Sequence, residues 1–189
     1  MDTFLFQKIN SLVGAYSFLD KIVWFLAEPL AYILVGLGLL ALFWPQVLGL
    51  KKSLPVVWAL AAALFARLLV KNLIVFFYNR PRPFDVLEVN QLATQESFAS
   101  FPSGHAIFFF TLATVLILYN RKLGALLFAG ATLIGISRVF AGLHWPSDVI
   151  FGASLGMLIG VLTFILAERT APRVKNQSRL SESLKSTSL

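Results

Sequence analysis

The chain of 189 residues contains no cysteine, few charged residues and only two histidines. Without cysteine it can form neither a disulfide framework nor a thiolate metal site. Charged residues make up 13% of the sequence, whereas about a quarter is usual for a soluble domain. Hydrophobic residues make up 58%, and the mean hydropathy is +0.79. This composition excludes an ordinary soluble domain and predicts one compact membrane domain, over residues 1–169.

The net charge of +7 has a different meaning in such a chain than in a nucleic-acid-binding protein. We expect it to report membrane orientation and contact with anionic lipids, with no nucleic-acid partner. Residues 1–13 carry Asp2 and Lys8 and lack the apolar core and cleavage site of a signal peptide. They predict an amphipathic segment on the membrane surface, within an interfacial helix over residues 1–20.

Five apolar runs approach the roughly 17–25 residues that a membrane-spanning helix needs. The third run reaches this length only if its helix begins at the Pro-Ser-Gly-His motif. We therefore predict an all-α membrane bundle of about five transmembrane helices within residues 22–167, followed by a disordered, basic and Ser-rich tail at 170–189. The runs are 22–44, 54–78, 103–119, 123–140 and 149–167.

Lysine and arginine residues between the runs predict the orientation of the bundle. They follow the first, third and fifth runs, which places them on one side, expected to be cytoplasmic together with the tail. The N-terminus, the loop at 80–101 and the short connection around His144 then lie on the outer, periplasmic face of the plasma (inner) membrane. The basic residues counted are Lys51, Lys52, Arg121, Lys122, Arg169, Arg173, Lys175, Arg179 and Lys185.

Polar residues around His144 provide parts for phosphoryl transfer without a bound metal, which needs a nucleophile, an acid and cations. Asp148 lies four residues after His144, about one helical turn. Its carboxylate can therefore accept from one ring N–H and leave the other ring nitrogen free to attack. Arg138, six residues before His144, and Arg82, within Arg-Pro-Arg-Pro, offer guanidinium groups suited to bidentate phosphate binding.

The second histidine lies in the motif Pro102-Ser103-Gly104-His105, at the start of the third run. Serine is a favoured N-cap, glycine allows close backbone approach, and a helix N-terminus binds anions. His105 would stand at the mouth of that site, placed to protonate a leaving group.

These motifs resemble those of the type 2 phosphatidic acid phosphatases, integral membrane lipid phosphatases that share a helical core with the vanadium haloperoxidases. The family motif Pro-Ser-Gly-His is complete, ending at His105. The motif Ser-Arg-x5-His-x3-Asp is also complete at the family's spacing, as Ser137, Arg138, His144 and Asp148. The resemblance covers about residues 54–167.

The first family motif, Lys-x6-Arg-Pro, is altered. Val75 stands seven residues before Arg82 and Leu73 seven before Arg80, while Lys71 precedes Arg82 by eleven. Lys71 reaches the phosphate only if its side chain extends towards the outer face. A displaced lysine, the sequence Arg-Pro-Arg-Pro-Phe and the small size are similar to the bacterial undecaprenyl-pyrophosphate phosphatases of this family.

The resemblance implies a role for each site residue. His144 attacks the terminal phosphorus and forms a phosphohistidine, His105 protonates the leaving group, and Asp148 orients His144. Water then releases phosphate, and no metal or cofactor is implied. The phosphate oxygens are held by Arg82, Arg138, Lys71 and the backbone N–H groups near Ser103 and Gly104.

The expected substrate is undecaprenyl pyrophosphate, whose monophosphate product returns to cell-wall synthesis. Phosphatidylglycerophosphate, phosphatidic acid and the 1-phosphate of lipid A share the chemistry and stay open, as does the oligomeric state. A non-catalytic lipid transporter is a rival of a different class. Within the bundle we expect a structural ion pair between Glu28 and Arg67, because intramembrane charges are usually paired or functional.

Overall fold

The computed structural model of the chain describes residues 1–50, 52–93 and 99–170. Within these residues the chain forms nine α-helices and no strand. A 3₁₀ turn follows α3, at Pro45–Leu48, and a π-helical turn joins α4 to α5, at Ala66–Val70. The helices are α1 (Asp2–Asn10), α2 (Ser17–Ala27), α3 (Pro29–Phe43), α4 (Leu54–Phe65), α5 (Lys71–Phe77), α6 (Pro83–Val86), α7 (Gly104–Tyr119), α8 (Arg121–Phe140) and α9 (Pro146–Thr170).

The predicted all-α membrane bundle is confirmed. Four stretches of the described chain are helical, long and apolar enough to cross a membrane: Ser17–Leu40, Leu54–Phe77, Arg121–Phe140 and Pro146–Thr170. The third predicted run is α7, which has 16 residues and is therefore about 24 Å long. A hydrocarbon core is about 30 Å thick, so a fifth complete span stays a prediction.

The first span differs from its predicted bounds. It begins at Ser17, before the predicted residue 22, because the carboxylate of Asp20 accepts the backbone N–H of Gly14 and fixes the preceding turn. The predicted interfacial segment over residues 1–20 is thus divided between α1, a turn and the start of α2. The span is also interrupted, since α2 ends before Glu28 and Pro29, which has no backbone N–H to donate, begins α3.

Helix α7 lies at the centre of the bundle. It packs against α4, α8 and α9, and every residue from Ala106 to Leu116 is buried. The neighbouring helices expose many apolar side chains on their outer faces, such as Phe65, Phe76 and Leu158. The helix that carries the Pro-Ser-Gly-His motif is therefore held on several sides by other helices.

A line of glycines on α9 allows that helix to approach α7 closely. Gly152, Gly156 and Gly160 repeat every four residues and are all buried. A Cβ on Gly156 would lie 2.6 Å from the carbonyl oxygen of Ile107, and one on Gly152 would lie 2.9 Å from that of Ser103. Small residues at every fourth position are a common means of close packing between membrane helices.

Helix α1 lies across the end of the bundle that carries the His144 connection. Phe6 packs its ring 5.3 Å from that of Trp145. The amide nitrogen of Asn10 donates to the carbonyl oxygens of Phe140 and Asn90, and its amide oxygen accepts from the N–H of Asn90. These contacts hold α1 against the loop at Asn90, the end of α8 and the residue that precedes α9.

Two predictions fall on positions outside the described residues. The tail beyond Thr170 is one of them, together with its basic residues from Arg173 onwards. Lys51, one of the residues in the charge count, is the other.

Replacing Gly156 with alanine should destabilise the protein by about 1–3 kcal/mol, because the added methyl group would overlap the backbone of α7. Gly36 in α3 is the matched control, since a Cβ there has no neighbour within 4 Å. Gly36→Ala should be neutral or stabilising, because alanine is the better helix former. Thermal unfolding in detergent measures both, and equal midpoints for the two variants would contradict the packing role of Gly156.

Candidate active site

The short connection between α8 and α9 positions the third family motif, Ser-Arg-x5-His-x3-Asp. It turns at Gly142, whose φ of +83° favours glycine. A Cβ at that position would also lie 2.4 Å from Cγ1 of Val89. The turn buries His144 between Arg138 in the last turn of α8 and Asp148 in the first turn of α9.

His144 and Asp148 are brought together as predicted, and a serine lies between them. Nδ1 of His144 is 3.7 Å from Oδ2 of Asp148, which is too long for a direct hydrogen bond. The buried hydroxyl of Ser100 donates to Oδ2 of Asp148 at 2.5 Å and lies 3.4 Å from Nδ1 of His144. It can accept the Nδ1 proton, which leaves the lone pair on Nε2.

The carboxylate of Asp148 is held on both oxygens. Arg80 donates to Oδ1 at 2.7 Å, while the backbone N–H of Trp145 donates to Oδ2 at 3.0 Å. Trp145 immediately precedes α9 and Asp148 is its third residue, so the second contact is one half of a capping box. The same carboxylate therefore caps a helix and faces His144.

Burial lowers the pKa of His144 to about 4. The Asp148 carboxylate opposes this shift, while the positive charges of Arg138 and Arg82 add to it. The imidazole is therefore neutral at pH 7, which is the form in which a ring nitrogen can act as a nucleophile.

Two guanidinium groups are buried beside His144. Arg82 donates to the carbonyl oxygen of Leu143 at 2.8 Å, and Arg138 donates to Oε1 of Glu28 at 2.7 Å. The expected ion pair of Glu28 with Arg67 is therefore wrong. The reason is the interruption of the first span at Glu28, which turns this carboxylate towards α8, where Arg138 also donates to the carbonyl oxygen of Ala27 at 3.3 Å.

The Pro-Ser-Gly-His motif lies against the third motif. The backbone N–H of Ser103 donates to the carbonyl oxygen of Asp148 at 3.1 Å, and its hydroxyl accepts from the N–H of Ala106 at 3.5 Å as the N-cap of α7. One residue into α7, His105 is close enough to interact electrostatically with Arg138 and His144.

Lys71 lies at the same site. Its Nζ is 3.5 Å from the point where Gly104 would carry a Cβ, so the lysine reaches the amino end of α7. It lines a cavity of about 760 Å³ together with Arg82. Of the eight residues proposed from the sequence, Lys71 and Arg82 line this cavity, and Asp148 and Gly104 lie against its lining residues Arg80 and Lys71. Ser103 and His144 lie beside Asp148. His105 and Arg138 line a neighbouring cavity, which shares Arg67 with this one.

Three further residues join the network around Asp148, and the sequence did not suggest them as site residues: Ser100, Arg80 and Asp2. Ser100 belongs to no motif that the sequence reveals, and Arg80 stands beside Arg82 in the same Arg-Pro pattern. Asp2 accepts from Arg80 at 2.7 Å and from the backbone N–H of Ser147 at 3.1 Å. No sequence pattern pointed to Asp2, because its contact with Ser147 joins residues 145 positions apart.

Comparison with known proteins identifies similar chains along most of the sequence. The model of the PAP2 superfamily matches residues 56–171. The bacitracin transport permease protein BcrC of Bacillus licheniformis is 37% identical over 87% of this chain and 79% of its own. The undecaprenyl-diphosphatase BcrC of Bacillus subtilis is 31% identical over 95% and 91%. Among solved structures, Aquifex aeolicus LpxE superposes with a TM-score of 0.70 at 31% identity, covering 87% of this chain and 94% of that one.

Replacing Asp2 with asparagine should lower stability at neutral pH by about 0.5–1 kcal/mol, because it removes the negative charge that pairs with Arg80. Burial raises the pKa of Asp2, but hydrogen bonds from Ser147 and Arg80 outweigh it and hold the pKa below the usual 3.8. The stabilisation is therefore complete above about pH 4 and is lost as the pH falls through the lower folded-state value.

Unfolding in detergent at pH 7, 5 and 3 measures the difference from wild type. It should shrink at the lowest pH. The exposed Glu88 supplies the control, since Glu88→Gln should change stability little. A deficit in Asp2→Asn that is the same at every pH would contradict an ionic origin.

Proposed function

This chain belongs to the PAP2 superfamily, and we propose that it is a membrane lipid phosphatase that hydrolyses a polyprenyl diphosphate to the monophosphate and inorganic phosphate. The observation that carries the proposal is the setting of His144. Its Nδ1 faces Ser100 and Asp148, and its pKa is lowered to about 4. Two buried guanidinium groups, of Arg82 and Arg138, lie beside it. A neutral nucleophile next to fixed positive charge suits attack on a phosphoryl group.

The proposed reaction has two steps. The Nε2 lone pair of His144 forms a bond to the terminal phosphorus while the bond from phosphorus to the bridging oxygen breaks. His105 gives a proton to that oxygen, which leaves as the lipid monophosphate. Water then attacks the phosphohistidine and gives its proton to His105, and inorganic phosphate leaves with His144 restored.

Positive charge would stabilise the phosphoryl group during its transfer. Its oxygens are proposed to be bound by Arg82, Arg138 and Lys71, together with the backbone N–H groups at Ser103 and Gly104. Asp148 is proposed to fix the His144 ring through Ser100, since the direct distance exceeds that of a hydrogen bond. This differs from the direct contact that a spacing of four residues suggests.

Among the candidate substrates we propose undecaprenyl diphosphate, because the Bacillus subtilis relative that matches 95% of this chain is named undecaprenyl-diphosphatase. Phosphatidylglycerophosphate, phosphatidic acid and lipid A 1-phosphate present the same terminal phosphoryl group. They are the alternatives that an assay must separate.

Lipid transport is the second candidate function, supported by the name of the Bacillus licheniformis relative, a transport permease protein. A transporter needs charges along a path, but it has no need of an oriented imidazole with a neutral ring nitrogen. The arrangement of His144, Ser100 and Asp148 therefore favours the enzyme.

We propose that the site opens on the outer, periplasmic face and that the tail is cytoplasmic. The exposed cations Lys52, Arg121 and Lys122 lie at the opposite ends of the spanning helices from His144. Cytoplasmic connections carry an excess of such residues.

Detergent-purified protein should release phosphate from undecaprenyl diphosphate in the presence of EDTA, faster than from phosphatidylglycerophosphate or phosphatidic acid. His144→Ala should lower the rate by at least about 10³-fold, because it removes the nucleophile. Binding of the lipid should persist in this variant.

Each other outcome identifies a different error. Loss of activity with EDTA would contradict metal-free chemistry. Preference for another lipid would replace the substrate and keep the mechanism. Lipid transport into vesicles that survives in His144→Ala, with no phosphate released by wild type, would favour the transporter.

The absence of native cysteine makes the orientation directly testable with single cysteines. Glu88 and Lys122 are both exposed and lie at opposite ends of the bundle. Glu88→Cys should react with a membrane-impermeant maleimide on intact cells, whereas Lys122→Cys should react only after permeabilisation. The reverse pattern would place the site on the cytoplasmic face.

A further inference from the structure

A second cavity, of about 420 Å³, enters the bundle between α3, α4 and α7 and reaches His105. Apolar side chains form most of its wall, and a few polar ones join them. Of the polar residues, Glu28 and Arg138 form an ion pair with each other. His105 and Arg67 are also polar residues of the wall. Its apolar residues include Ala31, Val35, Leu64, Phe108 and Phe109.

Arg67 borders both this second cavity and the larger cavity that contains Arg82. It lies in the π-helical turn between α4 and α5, and such turns occur frequently at functional sites. Lys71 follows one turn later. NH1 of Arg67 and Nζ of Lys71 lie 3.7 and 3.5 Å from the point where Gly104 would carry a Cβ, so the two cations converge at the amino end of α7.

These two cations differ from Arg80 and Arg138 in their partners. Arg80 and Arg138 each form an ion pair with a carboxylate, whereas neither Arg67 nor Lys71 forms one with any described residue. Both are half-buried within a membrane span. Unpaired charge at such a position is unfavourable unless a ligand compensates it.

The position of His105 indicates which part of a substrate would lie there. An acid that protonates the leaving oxygen must stand on the leaving-group side of the phosphorus. When the substrate is a diphosphate, the leaving group is itself a phosphate that carries negative charge. When it is a monophosphate ester, the leaving group is an alcohol.

We propose that Arg67, one turn before Lys71, forms a second phosphate subsite, which binds the lipid-linked phosphate of a diphosphate and makes this protein prefer diphosphates to monophosphate esters. The inference rests on the proposed function and adds to it a residue-level origin of substrate choice. The apolar wall of the second cavity then takes the first part of the lipid tail.

The test compares Arg67→Gln with wild type on undecaprenyl diphosphate and on phosphatidic acid. Loss of a hydrogen bond between charged groups should lower kcat/KM for the diphosphate by about 10- to 100-fold. The value for phosphatidic acid should change by less than about threefold. Arg67→Lys should recover part of the diphosphate activity, because it restores the charge without the planar group.

Inhibition by inorganic anions gives a second measurement, which does not depend on recognition of a lipid tail. Inorganic pyrophosphate should inhibit Arg67→Gln about tenfold less strongly than wild type, while inhibition by orthophosphate stays the same. Lys122→Gln removes a cation from an exposed position at the far end of α8. It should behave as wild type in both assays, and equal thermal midpoints show that the variants fold.

An equal fall for both lipids, or unchanged inhibition by pyrophosphate, would overturn the second subsite and leave the proposed phosphatase in place. Wild-type protein that hydrolysed only monophosphate esters would overturn the subsite together with the proposed substrate. Wild-type protein without phosphatase activity would overturn the proposed function and the inference with it.

Discussion

The buried carboxylate of Asp148 is the constraint on which the rest of the site depends. A carboxylate without solvent needs donors for both oxygens, and here they come from three separate parts of the chain. Arg80 comes from the loop after α5, Ser100 from the segment before α7, and the N–H of Trp145 from the start of α9. Satisfying one charge thereby fixes the relative positions of all three motifs. Helix α1 belongs to the same network, because Asp2 compensates the second side of Arg80.

Close contact between α7 and α9 allows this network to form. The glycines of α9 bring the backbone of Ser103 against that of Asp148, so that His105 and His144 occupy one site. Around it lies more positive than negative charge, with Arg82 and Arg138 buried and Lys71 and Arg67 half-buried. Such an arrangement is stable when an anion completes it, which agrees with a phosphorylated ligand at the membrane surface.

Individual residues show how far sequence reasoning extends. The spacing of Arg138, His144 and Asp148 predicted their proximity because a short turn followed by one helical turn leaves little freedom. The pairing of Glu28 was wrong because hydropathy gives the extent of a span but not a break at Glu28–Pro29, and the break decides which helix the carboxylate faces. Ser100 could not be identified because a lone serine two residues before the Pro-Ser-Gly-His motif has no distinctive spacing. Asp2 could not be identified because its partners, Arg80 and Ser147, are far away in the sequence.

The amino-acid sequence by itself determined the helical membrane class, the approximate spans and the chemical parts of the site, since these follow from composition and from contacts within one or two turns. Tertiary structure alone decided which cation meets which carboxylate. It placed Ser100 between Asp148 and His144 and left Arg67 and Lys71 without a carboxylate among the described residues. The physical reason is that burial favours the pairing of opposite charges in space, and helix packing, which local sequence does not encode, selects which charges are paired.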